Sequence, residues 1–290
     1  SGYLETNINV KTMDKIKTTH VGSLPRSKKL SEILFKKDKN ELFDQGELDK
    51  IIEEDVNKIV KKQIDIGIDI ISDGEMSKIS YATYVKDRLH GFSGESERRA
   101  PKDLDDFPSY KEKIAKSGGT PTYTRPCCTA DLKIKDTKSL TKDISNLKSA
   151  LKKNNHSQGF INSASPGVIS NFLPNKFYKN DDDYLEALSK MMKTEYDEIT
   201  KNDLLLQIDC PDLALARHMT FKNVSDEEFL VRAEKQIECL NEAIKDIDAS
   251  KLRMHICWGN YEGPHIHDIG LEKILPLSLI HISEPTRLSW

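Results

Sequence analysis

The chain has no long apolar run, no export signal and no surplus of charge of one sign, and only five of its 290 residues are cysteine. A membrane-spanning helix needs about 20 predominantly apolar residues, so no membrane partner is expected. Residues 1–12 are too poor in apolar side chains for a signal peptide or a span. Cys127, Cys128, Cys210, Cys239 and Cys257 form no disulfide framework. With no targeting segment, the expected compartment is the cytoplasm, where thiols stay reduced. The net charge is -3, with Lys interspersed among Asp and Glu, which argues against a nucleic-acid partner. Aromatic residues are few, at 7%, whereas charged residues make up 31%, the balance of a globular chain with a polar surface.

What is present is an alternation of strand and helix signals. Strands are expected at residues 16–23, 68–72, 129–134, 159–164, 204–209 and 252–257, with helices near 46–66, 140–153, 182–202 and 225–247. Ser225-Asp226-Glu227-Glu228 has the form of a capping box. Residues 88–126 are irregular and punctuated by Gly and Pro, and read as an insertion that could hold a hairpin. Alternating strands and helices imply a parallel sheet. Polar residues recur at strand C-terminal ends: His20 and Ser23, Asp73 and Glu75, Ser163 and Ser165, Asp209, His255 and Cys257. Five such ends favour a (β/α)₈ barrel of the TIM type, whose site lies there, over a doubly wound sheet with one switch point. About six of the eight strands are expected, so the barrel reads as incomplete at its C-terminal end.

His255-Ile256-Cys257 carries the sharpest chemistry. Residues two apart on a strand share a face, so an imidazole and a thiol would project together, half of a tetrahedral zinc site. Taken alone, the bare pair reads more readily as a buried Cys beside a hydrogen-bonded His; the flank turns the reading toward a ligand pair. The flank Trp258-Gly259-Asn260-Tyr261-Glu262-Gly263-Pro264-His265-Ile266-His267-Asp268 resembles the cobalamin-independent methionine synthase family, in its single-barrel branch of methyltransferase-like proteins. Thr18-Thr19-His20-Val21-Gly22-Ser23-Leu24-Pro25-Arg26, Ser72-Asp73-Gly74-Glu75, Ser163-Ala164-Ser165-Pro166-Gly167 and Gln207-Ile208-Asp209-Cys210-Pro211-Asp212-Leu213 carry the same resemblance, in order.

The resemblance implies zinc held by His255, Cys257, a later Glu and a later Cys, with the sulfur of a small thiol joining the metal. It implies methyl transfer from a 5-methyltetrahydrofolate-type donor to a homocysteine-type acceptor, that is, a methyltransferase of methionine biosynthesis. Asp209 and Glu75 match contacts to the amino acid, Asp209 to its amino group. Val21 and Ser23 match the loop that holds its carboxylate, and His20 is a further candidate contact. Cys210 stands where the methionine synthases carry Glu, and Met76-Ser77-Lys78-Ile79 lacks the Arg and Asp that follow Gly-Glu there. An epoxide-opening alkyl transfer to coenzyme M or another small thiol is therefore the alternative, and a metal-free uroporphyrinogen-decarboxylase-like barrel a more distant one. His265 and His267 read either as further ligands or as residues shaping the mouth.

The two ends read differently from the middle. Residues 1–12 precede Met13 and read as translated upstream DNA or a disordered arm. Leu277 to Arg287 match the in-frame translation of a transposase-based sequencing adapter, so residues 277–290 read as a foreign tail that breaks the helix begun at Leu271. The barrel portion is then 13–276, the later zinc ligands fall beyond Pro276, and an inactive truncated fragment is a third possibility.

Overall fold

The computed structural model describes residues 16–97, 100–116, 123–259 and 263–281. The expected leader 1–12, and residues 282–290 of the expected foreign tail, lie outside the described residues.

A parallel four-stranded sheet carries the fold: β1 (Ile71–Ser72), β4 (Gly159–Ala164), β5 (Leu205–Asp209) and β6 (Leu252–His255), side by side in that order. The expected first strand contributes one parallel bridge, Thr19 to Ile70, on the outer side of β1. Helices cover the outer face: α2 (Gln45–Asp65), α4 (Lys138–Lys153), α6 (Asp181–Lys201) and α7 (Asp226–Ile244). Their apolar stripes, such as Leu48, Ile52, Val56 and Val60 on α2, join Ile161, Leu206 and Ile208 of the strands in one core. Three of these helices start where a side chain at the N-cap satisfies a free backbone N–H. Asp44, Asn180 and Ser225 cap α2, α6 and α7, and Ser225 with Glu228 forms the full capping box. These arrangements define an α/β barrel of the (β/α)₈ type with an incomplete set of strands.

Residues 127–134 correct the strand count. Cys127–Ile134, β3, pairs antiparallel with β2 (Leu89–Ser93) in a separate two-stranded sheet. The strand expected at 129–134 is thus half of a hairpin-like insertion, not a barrel stave. Its exposed Thr129, Ala130 and Asp131 could not line a packed interior. The helix α8 (Leu271–His281) is a second correction, because it runs through Pro276 into residues 277–281 where a break was expected. Leu277 is partly buried against the core, which favours continuation. Residues 277–281 form no strand pair. Three short helices had no sequence expectation: α1 (Lys28–Asp38), α3 (Pro108–Lys116) and α5 (Pro166–Phe172).

Candidate active site

Sheet register sets the site out in rows. Asn162 pairs with Gln207 and Gln207 with Arg253; in the next row Ala164 pairs with Asp209 and Asp209 with His255. Alternation puts Asn162, Gln207, Asp209, Arg253 and His255 on one face and Ile161, Ser163, Leu206 and Ile208 on the other. Ser163 accordingly donates to Glu195 of α6 at 2.7 Å and faces away from the site. Beyond β6 the chain stays extended. Cys210 N–H donates to the His255 carbonyl at 2.8 Å and Leu215 N–H to the Cys257 carbonyl at 3.3 Å. Carbonyls two apart bonding to the same side leave the His255 and Cys257 side chains on one face, as the spacing implied.

The turn after β1 delivers Glu75. Asp73 Oδ1 accepts from the Glu75 N–H at 2.9 Å, and Arg26 clamps the turn through the carbonyls of Glu75 at 2.8 Å and Lys78 at 2.6 Å. Glu75 sits at φ 56°, a left-handed conformation uncommon outside glycine. Such strain persists where surrounding contacts hold it. Here the carboxylate accepts from Ser23 Oγ at 2.9 Å and from Asn162 Nδ2 at 3.0 Å.

Asn162 is the hub. Its Nδ2 also donates to Asp209 Oδ2 at 2.7 Å, and its Oδ1 and carbonyl accept from Lys78 Nζ at 3.2 and 2.7 Å. Gln207 completes the cluster by donating to Asp209 Oδ1 at 2.7 Å. Asn162, Lys78 and Gln207 carried no expectation. Their signal was legible all the same: a single amide in each of two mainly apolar strand runs, and a lysine three residues after Glu75. Inward polar groups are costly unless bonded, and here each is bonded.

Burial pushes the Glu75 and Asp209 carboxyls up from their ordinary range. The Lys78 charge opposes this at Glu75, and the bonds from Asn162 and Gln207 oppose it at Asp209. Tyr81 is also pushed up, by burial and then by the neighbouring Asp209, Cys257 and Glu75. It therefore stays a neutral phenol beside them. Burial, and next the Arg253 charge, lower His255, so its imidazole is neutral and offers a lone pair. Burial raises the Cys257 thiol. Arg253 is lowered to about 10 by burial and remains a cation. It lies 3.6 Å from the centroid of the Phe160 ring and donates to Thr19 Oγ1 at 3.2 Å.

Of the expected site residues, the structure brings Ser23, Glu75, Asp209, His255 and Cys257 to this end of the sheet. Val21 is 49% exposed and His20 half-buried. Among the described residues neither side chain hydrogen-bonds to the cluster.

An imidazole and a thiol suit zinc, so the donor chemistry of His255 and Cys257 fits that metal. Among the described residues no third Cys, His or carboxylate joins the pair within 4.8 Å; the group that meets this criterion is Asp103, His218 and Asp268. His265 and His267 do not complete the pair. His265 Nδ1 lies 3.2 Å from Asp268, and His267 bonds to Asp106. Cys127 and Cys128 are buried in β3, away from this donor pair.

A strained turn, an inward polar layer and a His–Cys pair at strand ends define a barrel-type catalytic domain. Residues 16–270 match the family described as "Cobalamin-independent synthase, Catalytic domain", and the chain belongs to that family. It is 24% identical over 260 residues to a methionine synthase of Sulfolobus acidocaldarius, covering 89% of this chain and 66% of that one. It is 25% identical over 268 residues to a methionine synthase of Saccharolobus islandicus, covering 89% and 68%. The chain thus spans about two thirds of the length of these relatives. Its fold is similar to that of a Listeria monocytogenes protein described as "Putative Vitamin-B12 Independent Methionine Synthase", with TM-score 0.57 at 20% identity over 86% of this chain and 68% of that one. A B12-independent methionine synthase of a Shewanella species in complex with selenomethionine gives TM-score 0.54 at 20% identity over 75% and 54%. Among the described residues no helix is long and apolar enough to cross a membrane.

Proposed function

We propose that this chain carries the thiol-binding part of a methionine-synthase-type methyltransferase, with zinc as its metal, a homocysteine-type acceptor and a 5-methyltetrahydrofolate-type donor. One observation carries the reading. Asp209 and His255 are register partners, so a carboxylate joined to Glu75 through Asn162 stands beside the His255–Cys257 pair. An amino-acid thiol has two handles, an ammonium and a sulfur, and this arrangement offers a partner for each. Asp209 and Glu75 accept the ammonium as a charge-assisted hydrogen bond, and Ser23 helps hold Glu75 in place. Val21 and His20 stand at the rim, near the carboxylate end. His255 and Cys257 would supply two zinc ligands. Bound zinc holds an acceptor sulfur as thiolate, the reactive form. In the same reading residues 13–276 belong to the barrel, residues 277–290 are foreign, and the remaining zinc ligands lie in sequence that follows Pro276 in the family.

The test compares two acceptors in an enzyme whose genomic reading frame is restored past Pro276. Asp209→Asn should raise the KM for homocysteine by at least tenfold, with little change for a thiol lacking the amino group. Equal effects on both would remove the ammonium role. Turnover of coenzyme M or another non-amino thiol alone would favour the alkyl-transfer alternative.

A further inference from the structure

The turn that carries Glu75 also launches Lys78, and the two side chains grip Asn162 from opposite ends. Lys78 N–H donates to the Glu75 carbonyl at 3.0 Å, and the Lys78 carbonyl accepts from Arg26 at 2.6 Å. From this pinned backbone the side chain crosses to β4. Its Nζ donates to the Asn162 carbonyl at 2.7 Å and to Asn162 Oδ1 at 3.2 Å. Asn162 Nδ2 returns to the turn by donating to Glu75 Oε1 at 3.0 Å. The turn, Lys78, Asn162 and Glu75 thus form a closed ring. Lys78 is 2% exposed, and its ammonium stands 5.4 Å from the centroid of the buried Tyr84 ring, within the range of a cation–π attraction. Tyr84 is fixed in turn by donating to Asp143 Oδ2 at 2.6 Å.

An ammonium donates and never accepts, so the amide atom that Lys78 meets is the oxygen. The NH2 group then turns toward the carboxylates and donates to both Glu75 and Asp209. A buried ammonium is costly unless it is hydrogen-bonded, and both of these bonds go to Asn162, not to a carboxylate. Among the described residues Glu75 accepts from Ser23 and Asn162, and Asp209 accepts from Asn162 and Gln207. A carboxylate has roughly four lone-pair sites, so each keeps acceptor capacity for a ligand.

We propose that Lys78 is a positioning residue for the ammonium group of the acceptor: it orients the Asn162 amide, and through it sets the spacing of Glu75 and Asp209. The inference rests on the reading of these two carboxylates as ammonium acceptors. Without Lys78 the amide loses both bonds at its oxygen end, and the carboxylates lose their fixed common spacer. A ligand without an amino group does not use that spacing and is indifferent to Lys78. A lysine that only stabilised the fold would affect both kinds of ligand alike.

The test uses the full chain, with L-methionine as the probe and 4-(methylthio)butanoate as its counterpart lacking the amino group. Calorimetric titration should show that the parent prefers L-methionine. Lys78→Met should weaken L-methionine binding by about tenfold or more, the worth of one hydrogen bond to a charged group, and leave the counterpart unchanged. Lys78→Arg keeps the charge and the donors, and should retain the preference. Thermal melts establish which variants fold. If Lys78→Met does not, Lys78→Gln takes its place. Its shorter, neutral side chain cannot serve both Asn162 oxygens, so the preference should fall by about threefold or more. A parent that binds L-methionine no better than the counterpart would remove the ammonium reading, and this inference with it. If the parent discriminates, a folded neutral variant that keeps the full preference, or loses affinity for both ligands alike, would overturn the role of Lys78 alone.

Discussion

The side-chain amide of Asn162 donates to Asp209 Oδ2 at 2.7 Å, and both residues are buried. The same nitrogen serves Glu75, so one amide separates two carboxylates whose charges would otherwise repel. Asn162→Leu should cost about 2–3 kcal/mol, since it strands buried acceptors. Asn162→Asp should be more destabilising at pH 8 than at pH 5, because it adds a third carboxylate to the pair. Urea denaturation at the two pH values measures both effects; equal losses for Asn162→Asp at both would refute the electrostatic account.

Asp212 gives a pH dependence of definite sign. Burial raises its carboxyl from 3.8 to about 7, against hydrogen bonds from Ser165 Oγ at 2.6 Å and from its own backbone N–H. A raised folded-state value favours the protonated form. Its contribution is therefore complete below about pH 4, the unfolded value, and is lost as pH rises through about 7. Asp212→Asn should match the parent at pH 4 and exceed it at pH 8 by up to roughly 4 kcal/mol. A difference that is constant across this range in thermal melts would contradict the assignment.

Arg88 and Glu195 form a buried ion pair, 6% and 8% exposed, that joins the start of the insertion to α6. Arg88 also stacks 4.2 Å over the Tyr84 ring, and Glu195 accepts from Ser163. Removing one partner leaves a buried charge, so Arg88→Met should cost about 3–5 kcal/mol. The double variant Arg88→Met, Glu195→Leu should recover most of it. Additive losses in a double-mutant cycle would show that the two residues are not coupled.

Cys257 is the soft donor of the candidate zinc pair. In a chain extended to the full length of its curated relatives, Cys257→Ser should lower both bound zinc and methyl transfer by at least tenfold. Undiminished zinc would remove Cys257 from the ligand set.

The sequence by itself determined the local structure. Helical spacing and the Ser225 capping box placed α2, α4, α6 and α7 to within a few residues, because these signals act over one or two turns. It also placed His255 and Cys257 on one face, since strand alternation is local, and it carried the family motifs. Tertiary structure decided which segments pair and which side chains converge. Residues 129–134 read as a strand, but only their antiparallel pairing with Leu89–Ser93 shows that they stand outside the barrel sheet. Pro276 marked a helix end in the sequence, yet partial burial of Leu277 accompanies a helix that continues past it. Asn162 joins Glu75 and Asp209, which are separated from it by 87 and 47 positions. Asp103 reaches His218 across 115 positions. No periodicity spans such distances. Register between parallel strands and the meeting of loops over their ends bring these groups together, and both depend on the packing of the whole chain.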